Sequence, residues 1–111
     1  MKVLIVDDHT QTATAIARMI EFWGHSAIEA YNAEDGIKLT KSEHPDLIIL
    51  DMVMEGKDGY YFLEKITYKK IIVMSGFKIN KEKLKKYKNI VKTIKKPIDF
   101  EELENIIKKL R

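Results

Sequence analysis

The sequence predicts an α/β fold in which helices cover both faces of a five-stranded parallel sheet, a doubly wound arrangement. Short apolar segments alternate with amphipathic segments in the order βαβαβαβαβα, and the connections between them are short. This alternation favours parallel strands joined by right-handed crossovers. Three of the apolar segments are also unbroken runs of Ile, Leu and Val, which is typical of strands buried on both faces.

The apolar segments place five strands along the chain. They are predicted at residues 2–6, 27–31, 47–50, 71–74 and 90–94. The first, third and fourth are the unbroken runs, so we expect these three strands to have both faces covered. No linker, repeat or low-complexity tract interrupts the alternation, and residues 1–111 are therefore expected to form a single domain.

The segments between the strands carry helix signals of different strength. In the first segment apolar residues recur at helical spacing, and Gly24 suits the C-terminal cap. Asn32 is placed to cap the start of the second helix, which stops before Pro45. Weaker patterns at residues 58–67 and 80–89 predict the third and fourth helices.

The fifth helix has the clearest signals. Asp99 follows Pro97 closely as a candidate N-cap, and Glu102, three residues later, would complete a capping box. One apolar stripe then follows the helical period and consists of Phe100, Leu103, Ile106, Ile107 and Leu110. This pattern predicts an amphipathic helix with a single buried face.

The composition of the chain excludes several classes of protein. There is no cysteine, which excludes disulfides and thiolate metal sites. No apolar run approaches the roughly 20 residues of a membrane span. The apolar run at the N-terminus is too short, and too quickly acidic, for a signal peptide. We therefore expect a soluble, cytoplasmic domain.

The formal charge of +3 is unevenly distributed. Residues 1–63 hold five Lys/Arg and eleven Asp/Glu, a net charge of −6, whereas residues 64–111 hold fifteen and six, a net charge of +9. A basic half can indicate nucleic acid binding. The lysine-rich stretch 78–96, however, contains one Tyr and no Arg, which is poor material for base stacking or bidentate base contacts. A solvated surface is the favoured interpretation.

Chemically active side chains follow four of the five predicted strands. Asp7 and Asp8 end the first strand, Asp51 follows the third, Ser75 follows the fourth, and Lys96 follows the fifth. Each of them alone has an ordinary explanation as a turn, cap or surface residue. In open α/β sheets, however, the ligand site lies beyond the carboxyl ends of the strands. The joint pattern therefore indicates a functional site at this edge.

Three carboxylates at one edge cannot all stay ionised unless a cation neutralises them or one is protonated. One lysine supplies a single positive charge, and an all-oxygen site suits Mg²⁺. A divalent ion beside the Ser75 hydroxyl and the Lys96 ammonium suits a phosphoryl group. Asp51 is the best candidate for a carboxylate nucleophile, because it lies in the middle of the edge if the strand order is 2-1-3-4-5.

Four motifs resemble the receiver domain of two-component response regulators, and the resemblance covers the whole chain. They are VLIVDDH at residues 3–9, LIILDMVMEGKDG at 47–59, VMSG at 73–76 and IKKP at 94–97. All four occur in the family's order at compatible spacing. The resemblance implies a flavodoxin-like (βα)5 receiver domain with strand order 2-1-3-4-5, acting as a stand-alone regulator similar to those of chemotaxis.

The resemblance also implies a role for each residue at the edge. Asp51 would accept phosphate from a histidine kinase or a phosphotransfer protein, and Ser75 and Lys96 would hold the phosphoryl oxygens. The Mg²⁺ site would consist of Asp7, acting mainly through a bound water, together with Asp8, Asp51 and the backbone carbonyl of Val53. The phosphorylated domain would then signal by binding a downstream protein or by phosphorelay.

Several positions depart from the family's pattern. Glu55 stands where proline is usual and is expected to face water. Thr93 occupies the place of the aromatic switch residue, so the resemblance supplies no aromatic-coupled switch. Val53 and Phe77 are apolar at positions that flank the route of an attacking water in the family. They predict slow self-dephosphorylation, because neither side chain can orient a water molecule.

Two other functions fit parts of the pattern. A Mg²⁺-dependent hydrolase with an aspartyl nucleophile usually has an acidic residue two positions after that nucleophile, where this chain has Val53. A degenerate receiver would bind partners without phosphorylation, but the complete set of residues at the edge argues against it. The histidines, His9, His25 and His44, share no common spacing, and His9 is expected at the start of the first helix near the rim of the site.

Overall fold

The computed structural model describes residues 1–76 and 79–110, in which five strands alternate with five helices. The strands are β1 (Lys2–Val6), β2 (Ser26–Ala30), β3 (Leu47–Asp51), β4 (Lys70–Ser75) and β5 (Ile90–Lys95). The helices are α1 (Thr10–Phe22), α2 (Ala33–Glu43), α3 (Gly59–Lys65), α4 (Lys81–Leu84) and α5 (Phe100–Leu110). The element order predicted from the sequence is confirmed.

The strands form one parallel sheet in the order β2-β1-β3-β4-β5. The central strand β3 is buried along its whole length, and its neighbours β1 and β4 are buried except at their first residues. The edge strands β2 and β5 are more exposed. The three unbroken apolar runs are thus the three inner strands, as coverage on both faces requires.

Successive residues of the inner strands point to two separate apolar cores. Val3 and Ile5 of β1 pack with buried side chains of α1 and α5 on one face of the sheet. Leu4 and Val6 pack with α2, α3 and α4 on the other face, where Phe62 is the largest buried side chain. This alternation follows from the two-residue period of a strand and confirms the doubly wound architecture.

The predicted caps hold the ends of the helices. The Asn32 side chain accepts a hydrogen bond from the Asp35 backbone N–H at 2.7 Å, and the Asp99 carboxylate accepts bonds from the Glu101 and Glu102 N–H groups. Gly24 follows α1 with φ +93°, a conformation that favours glycine over other residues.

Several boundaries differ from the sequence prediction. Strands β3, β4 and β5 each end one residue later than predicted, and the differences at the fourth helix and at β2 have identifiable causes. The fourth helix is a single turn, because only Leu84 in its lysine-rich segment offers a buried apolar side chain. Strand β2 begins and ends one residue earlier than predicted, since the Ser26 N–H bonds to the Met1 carbonyl and draws Ser26 into the ladder. Within the described ranges, each helix falls short of the combined length and apolar character that crossing a membrane requires.

Candidate functional site

The side chains predicted to form a site meet at the carboxyl ends of the strands. We call Asp7, Asp8, Asp51, Ser75 and Lys96 the acidic edge; they are brought together from the ends of β1, β3, β4 and β5. Asp7, Asp51 and Ser75 are buried, and the side chain of Asp8 is 24% exposed. The acidic edge is therefore a partly closed depression with one carboxylate at its rim.

Lys96 joins the carboxylates of two strands. Its Nζ lies 2.7 Å from Asp7 Oδ2 and 3.2 Å from Asp51 Oδ2. The lysine itself is positioned by β4, because its backbone N–H donates a hydrogen bond to the Ser75 carbonyl at 2.9 Å. The ammonium thus holds one oxygen of each buried carboxylate and leaves the second oxygen of each for other partners.

Backbone N–H groups orient the remaining carboxylate oxygens. Asp7 Oδ1 accepts a hydrogen bond from the His9 N–H at 2.9 Å, and Asp51 Oδ1 accepts one from the Val53 N–H at 3.2 Å. Asp8 Oδ2 accepts one from the Glu55 N–H at 2.9 Å. Among the described residues, buried Asp8 Oδ1 has no hydrogen-bond partner. Within residues 1–76 and 79–110, this oxygen is therefore available to a bound ligand.

Burial raises the pKa of Asp51 above its ordinary value, because removal from water disfavours the charged carboxylate. The hydrogen bond from the Val53 N–H lowers the pKa of Asp51, and the negative charge of Asp7 raises it further. The charge and the hydrogen bond of Lys96 lower this pKa. Burial alone would lower the pKa of Lys96, but the hydrogen bond to Asp7 and the charges of Asp51 and Asp7 outweigh it and raise the pKa. A further cation at the edge would favour the ionised, nucleophilic form of Asp51.

The donor set fits a hard divalent cation. Asp7, Asp8, His9 and Asp51 each offer one ligand atom, and these atoms all lie within 4.8 Å of one another. Lys96 contacts the carboxylates of Asp7 and Asp51 and supplies one positive charge against three carboxylates, so a divalent ion would balance the remaining charge. The partnerless Asp8 oxygen and the predominance of oxygen donors both suit Mg²⁺.

Open space lies beside the ends of β3 and β4. A recess of about 280 Å³ is bounded by Met52, Val53 and Ser75, and a groove of about 710 Å³ is bounded by Ser75, Thr93 and Lys96. Ser75 belongs to the lining of both. Both spaces therefore lie next to Ser75, and the larger one also lies next to Lys96, whose ammonium contacts Asp51.

The structure brings together all five side chains that were predicted for this edge, while the roles assigned to them stay predictions. Glu55 is exposed, as expected, and contributes its N–H to Asp8. The Val53 side chain is 50% exposed. Phe77 lies outside the described residues. His9 lies at the start of α1 near the rim of the site, as expected from its place directly after the two aspartates. The sequence did not predict that its ring joins the acidic cluster.

The chain is similar to known proteins over most of its length. The family model for the response regulator receiver domain matches residues 3–108. PilH of Pseudomonas aeruginosa is 35% identical over 66 residues, which cover 60% of this chain and 54% of PilH. Sporulation initiation phosphotransferase F of Bacillus subtilis is 26% identical over 113 residues, which cover 97% of this chain and 91% of that protein.

The matched part of the chain spans about half the length of PilH and about a third of the length of several other curated relatives. Among solved structures, a two-component response regulator from Clostridium difficile superposes with a TM-score of 0.90 at 26% identity. That alignment covers 99% of this chain and 94% of the solved one.

Proposed function

Because the chain belongs to the family of response regulator receiver domains, we propose that it is a phosphorylation switch whose acceptor is Asp51. The observation that carries this proposal is the setting of the Asp51 carboxylate, which is buried at the end of the central strand and lies 3.2 Å from Lys96 Nζ. The phosphate donor would be a histidine kinase or a phosphotransfer protein. Residues 1–111 would act as one receiver domain in the cytoplasm.

The transfer replaces one bond to phosphorus by another. An Asp51 oxygen forms the new O–P bond while the bond between phosphorus and the donor histidine nitrogen breaks. The departing nitrogen keeps the electron pair of the broken bond, and a ring that carries a proton on its other nitrogen leaves as a neutral imidazole. The product is an aspartyl phosphate, a mixed anhydride on the Asp51 side chain.

Mg²⁺ would be held by Asp8, Asp51 and the backbone carbonyl of Val53, with Asp7 acting mainly through a water molecule. The ion would supply positive charge that neutralises the phosphoryl oxygens. The protein's own contribution is to hold the carboxylates in place through the N–H groups of His9, Val53 and Glu55. This preorganisation means that little rearrangement is needed when the ion and the donor arrive.

Lys96 and Ser75 would stabilise the transferred group. The Lys96 ammonium already lies between the two buried carboxylates and can exchange an Asp51 contact for a phosphoryl oxygen. The Ser75 hydroxyl would donate a hydrogen bond to another phosphoryl oxygen from the neighbouring strand. Movement of these two residues would carry the signal to the groove that both of them line.

The output would be phosphorelay or binding of a downstream protein. The likeness to Sporulation initiation phosphotransferase F, which extends over 97% of this chain, favours a relay. In that case the aspartyl phosphate would pass to a histidine of a second phosphotransfer protein. Binding of a downstream target by the phosphorylated form is the alternative.

A small phosphodonor tests the proposed function directly. Incubation of the purified chain with Mg²⁺ and acetyl phosphate is expected to add one phosphoryl group, detected by intact mass spectrometry and removed by hydroxylamine. Chelation of the metal is expected to slow this reaction on the order of a hundredfold, because the transferred charge would lose its main counter-charge. Turnover of acetyl phosphate without an adduct would instead indicate a hydrolase, and no reaction would indicate a degenerate receiver.

The aspartyl phosphate is expected to hydrolyse slowly. Val53 is apolar and half-exposed at the rim of the recess, where it cannot orient an attacking water. A Val53→Gln variant, which can hold a water molecule, is expected to lose phosphate several times faster than the wild type, with Val91→Gln on the exposed part of β5 as the control. The decay is followed by mass after removal of the donor. A wild-type half-life of seconds would contradict this prediction.

A further inference from the structure

The imidazole of His9 lies against the acidic edge. Its Nδ1 is 3.5 Å from Asp8 Oδ1, the oxygen without a hydrogen-bond partner among the described residues, and 3.7 Å from Asp7 Oδ1. The His9 side chain is 77% exposed, so it lies on the solvent side of these carboxylates. A nitrogen donor therefore faces the same space as the three carboxylates.

His9 does not serve the helix that it precedes. It occupies the N-cap position of α1, where Ser, Thr, Asp or Asn is preferred, and its side chain makes no capping hydrogen bond. Its backbone N–H bonds instead to Asp7 Oδ1 at 2.9 Å, which ties the residue to the acidic edge. Helix capping therefore does not explain why histidine stands at this position.

We propose that His9 is a nitrogen ligand of the metal at the acidic edge, and that its imidazole selectively raises the affinity of the site for Mn²⁺ and Co²⁺ relative to Mg²⁺. This inference rests on the proposed function, because it concerns the same metal. The inference adds one nitrogen ligand to the carboxylate oxygens of the proposed Mg²⁺ site, and it predicts which ions this ligand favours.

The distances allow His9 and the carboxylates to share one ion. Ligand atoms about 2.1 Å from a metal are roughly 3 Å apart at adjacent corners and about 4.2 Å apart at opposite corners of an octahedron. The His9 nitrogen lies 3.5 Å from Asp8 Oδ1, which is between these limits. Because the His9 side chain is exposed, a small rotation of it would bring its nitrogen to a corner of the octahedron.

A nitrogen ligand changes the preference of the site among ions. Imidazole suits first-row transition ions, whose affinities for a mixed nitrogen and oxygen site rise from Mn²⁺ to Co²⁺. Mg²⁺ prefers oxygen and usually keeps several of its waters, so it gains little from His9. Loss of the imidazole should therefore weaken binding of transition ions selectively. A histidine that acted only as a nearby charge would affect all divalent ions alike.

Metal titration of the whole chain tests this inference. Isothermal titration with MgCl₂, MnCl₂ and CoCl₂ compares the wild type with His9→Ser, a substitution that supplies a preferred N-cap residue and so favours α1. We expect Mn²⁺ and Co²⁺ affinities to fall about tenfold or more, and Mg²⁺ affinity to stay within about twofold. His44→Asn, which removes an exposed histidine elsewhere and suits the left-handed backbone there, is the control and should change neither affinity.

A spectroscopic readout detects the ligand itself. Pulsed electron paramagnetic resonance of the Mn²⁺-loaded wild type is expected to show coupling to an imidazole ¹⁴N, and His9→Ser is expected to lose it. Equal loss of Mg²⁺ and Mn²⁺ affinity in His9→Ser, or no ¹⁴N coupling in the wild type, would overturn the role of His9. Phosphorylation of wild-type Asp51 with Mg²⁺ and acetyl phosphate tests the proposed function separately. Failure of the wild type to bind any of the three ions would overturn the metal site as well.

Discussion

An Asp51→Asn variant is expected to form no detectable aspartyl phosphate with Mg²⁺ and acetyl phosphate, a loss of at least about a hundredfold. The amide has nearly the shape of the carboxylate but lacks the negative oxygen that would attack phosphorus. Its neighbours stay in place, because Lys96 keeps its 2.7 Å contact with Asp7. The measurement is the stoichiometry of the phosphoryl adduct by intact mass, with folding checked by thermal unfolding.

Two comparisons separate a missing acceptor from a damaged site. Asp58→Asn changes an exposed carboxylate on the same loop, and asparagine can still cap α3 as Asp58 does through the Tyr61 N–H. This control should be phosphorylated like the wild type. Asp8→Asn keeps the acceptor but weakens the metal site, so its adduct should form slowly and not disappear. An Asp51→Asn protein that still carried phosphate, on Asp7 or elsewhere, would contradict the proposed role.

The acidic edge could be predicted because topology alone brings its members together. Asp7, Asp51 and Ser75 each stand at the end of an unbroken apolar run, and parallel strands bring such ends to one edge of the sheet. The strand pattern therefore replaces contact information that the sequence does not contain. Lys96 could be predicted on the same grounds, since it follows the fifth strand directly.

The contacts within the edge could not be predicted, because they depend on loop conformation. The bond from the Glu55 N–H to Asp8 joins residues 47 positions apart through a loop without regular secondary structure. The turn of the His9 ring toward the carboxylates is likewise a matter of side-chain geometry, and three histidines without common spacing gave no reason to expect it. Periodicity describes helices and strands and carries no such information.

The length of α4 could not be predicted either, because it depends on tertiary packing. A Lys-rich segment with an N-cap residue has acceptable helix propensity, so the sequence predicts a longer helix over residues 80–89. In a folded domain most helical stability comes from packing of an apolar face, and here Leu84 is the buried side chain of the helix. Tertiary packing therefore ends the helix where local propensity would continue it.

A Gly59→Ala variant is expected to lose about 3 kcal/mol of folding free energy, out of the roughly 5–15 kcal/mol typical of a domain. Gly59 begins α3, and its N–H donates a hydrogen bond to the Met52 carbonyl at 3.1 Å. A Cβ at this position would lie 2.6 Å from Met52 Cα and 3.1 Å from the Asp51 carbonyl oxygen. These are backbone atoms of the strand end and the residue after it, so a side-chain rotation cannot relieve the overlap.

Helix propensity alone would make Gly59→Ala more stable than the wild type, whereas the steric overlap is expected to make it less stable. Alanine in a helix is favoured over glycine by up to about 1 kcal/mol, so a measured loss must come from the contact with Met52. Gly24→Ala is the matched control, because its Cβ would meet nothing within 4 Å and only its positive φ opposes the change. Chemical denaturation should show a larger loss of unfolding free energy in Gly59→Ala than in Gly24→Ala. If Gly59→Ala lost less than Gly24→Ala, the steric argument would be contradicted. Because relief of the overlap must push α3 away from the end of β3, the same variant should also take up phosphate on Asp51 more slowly.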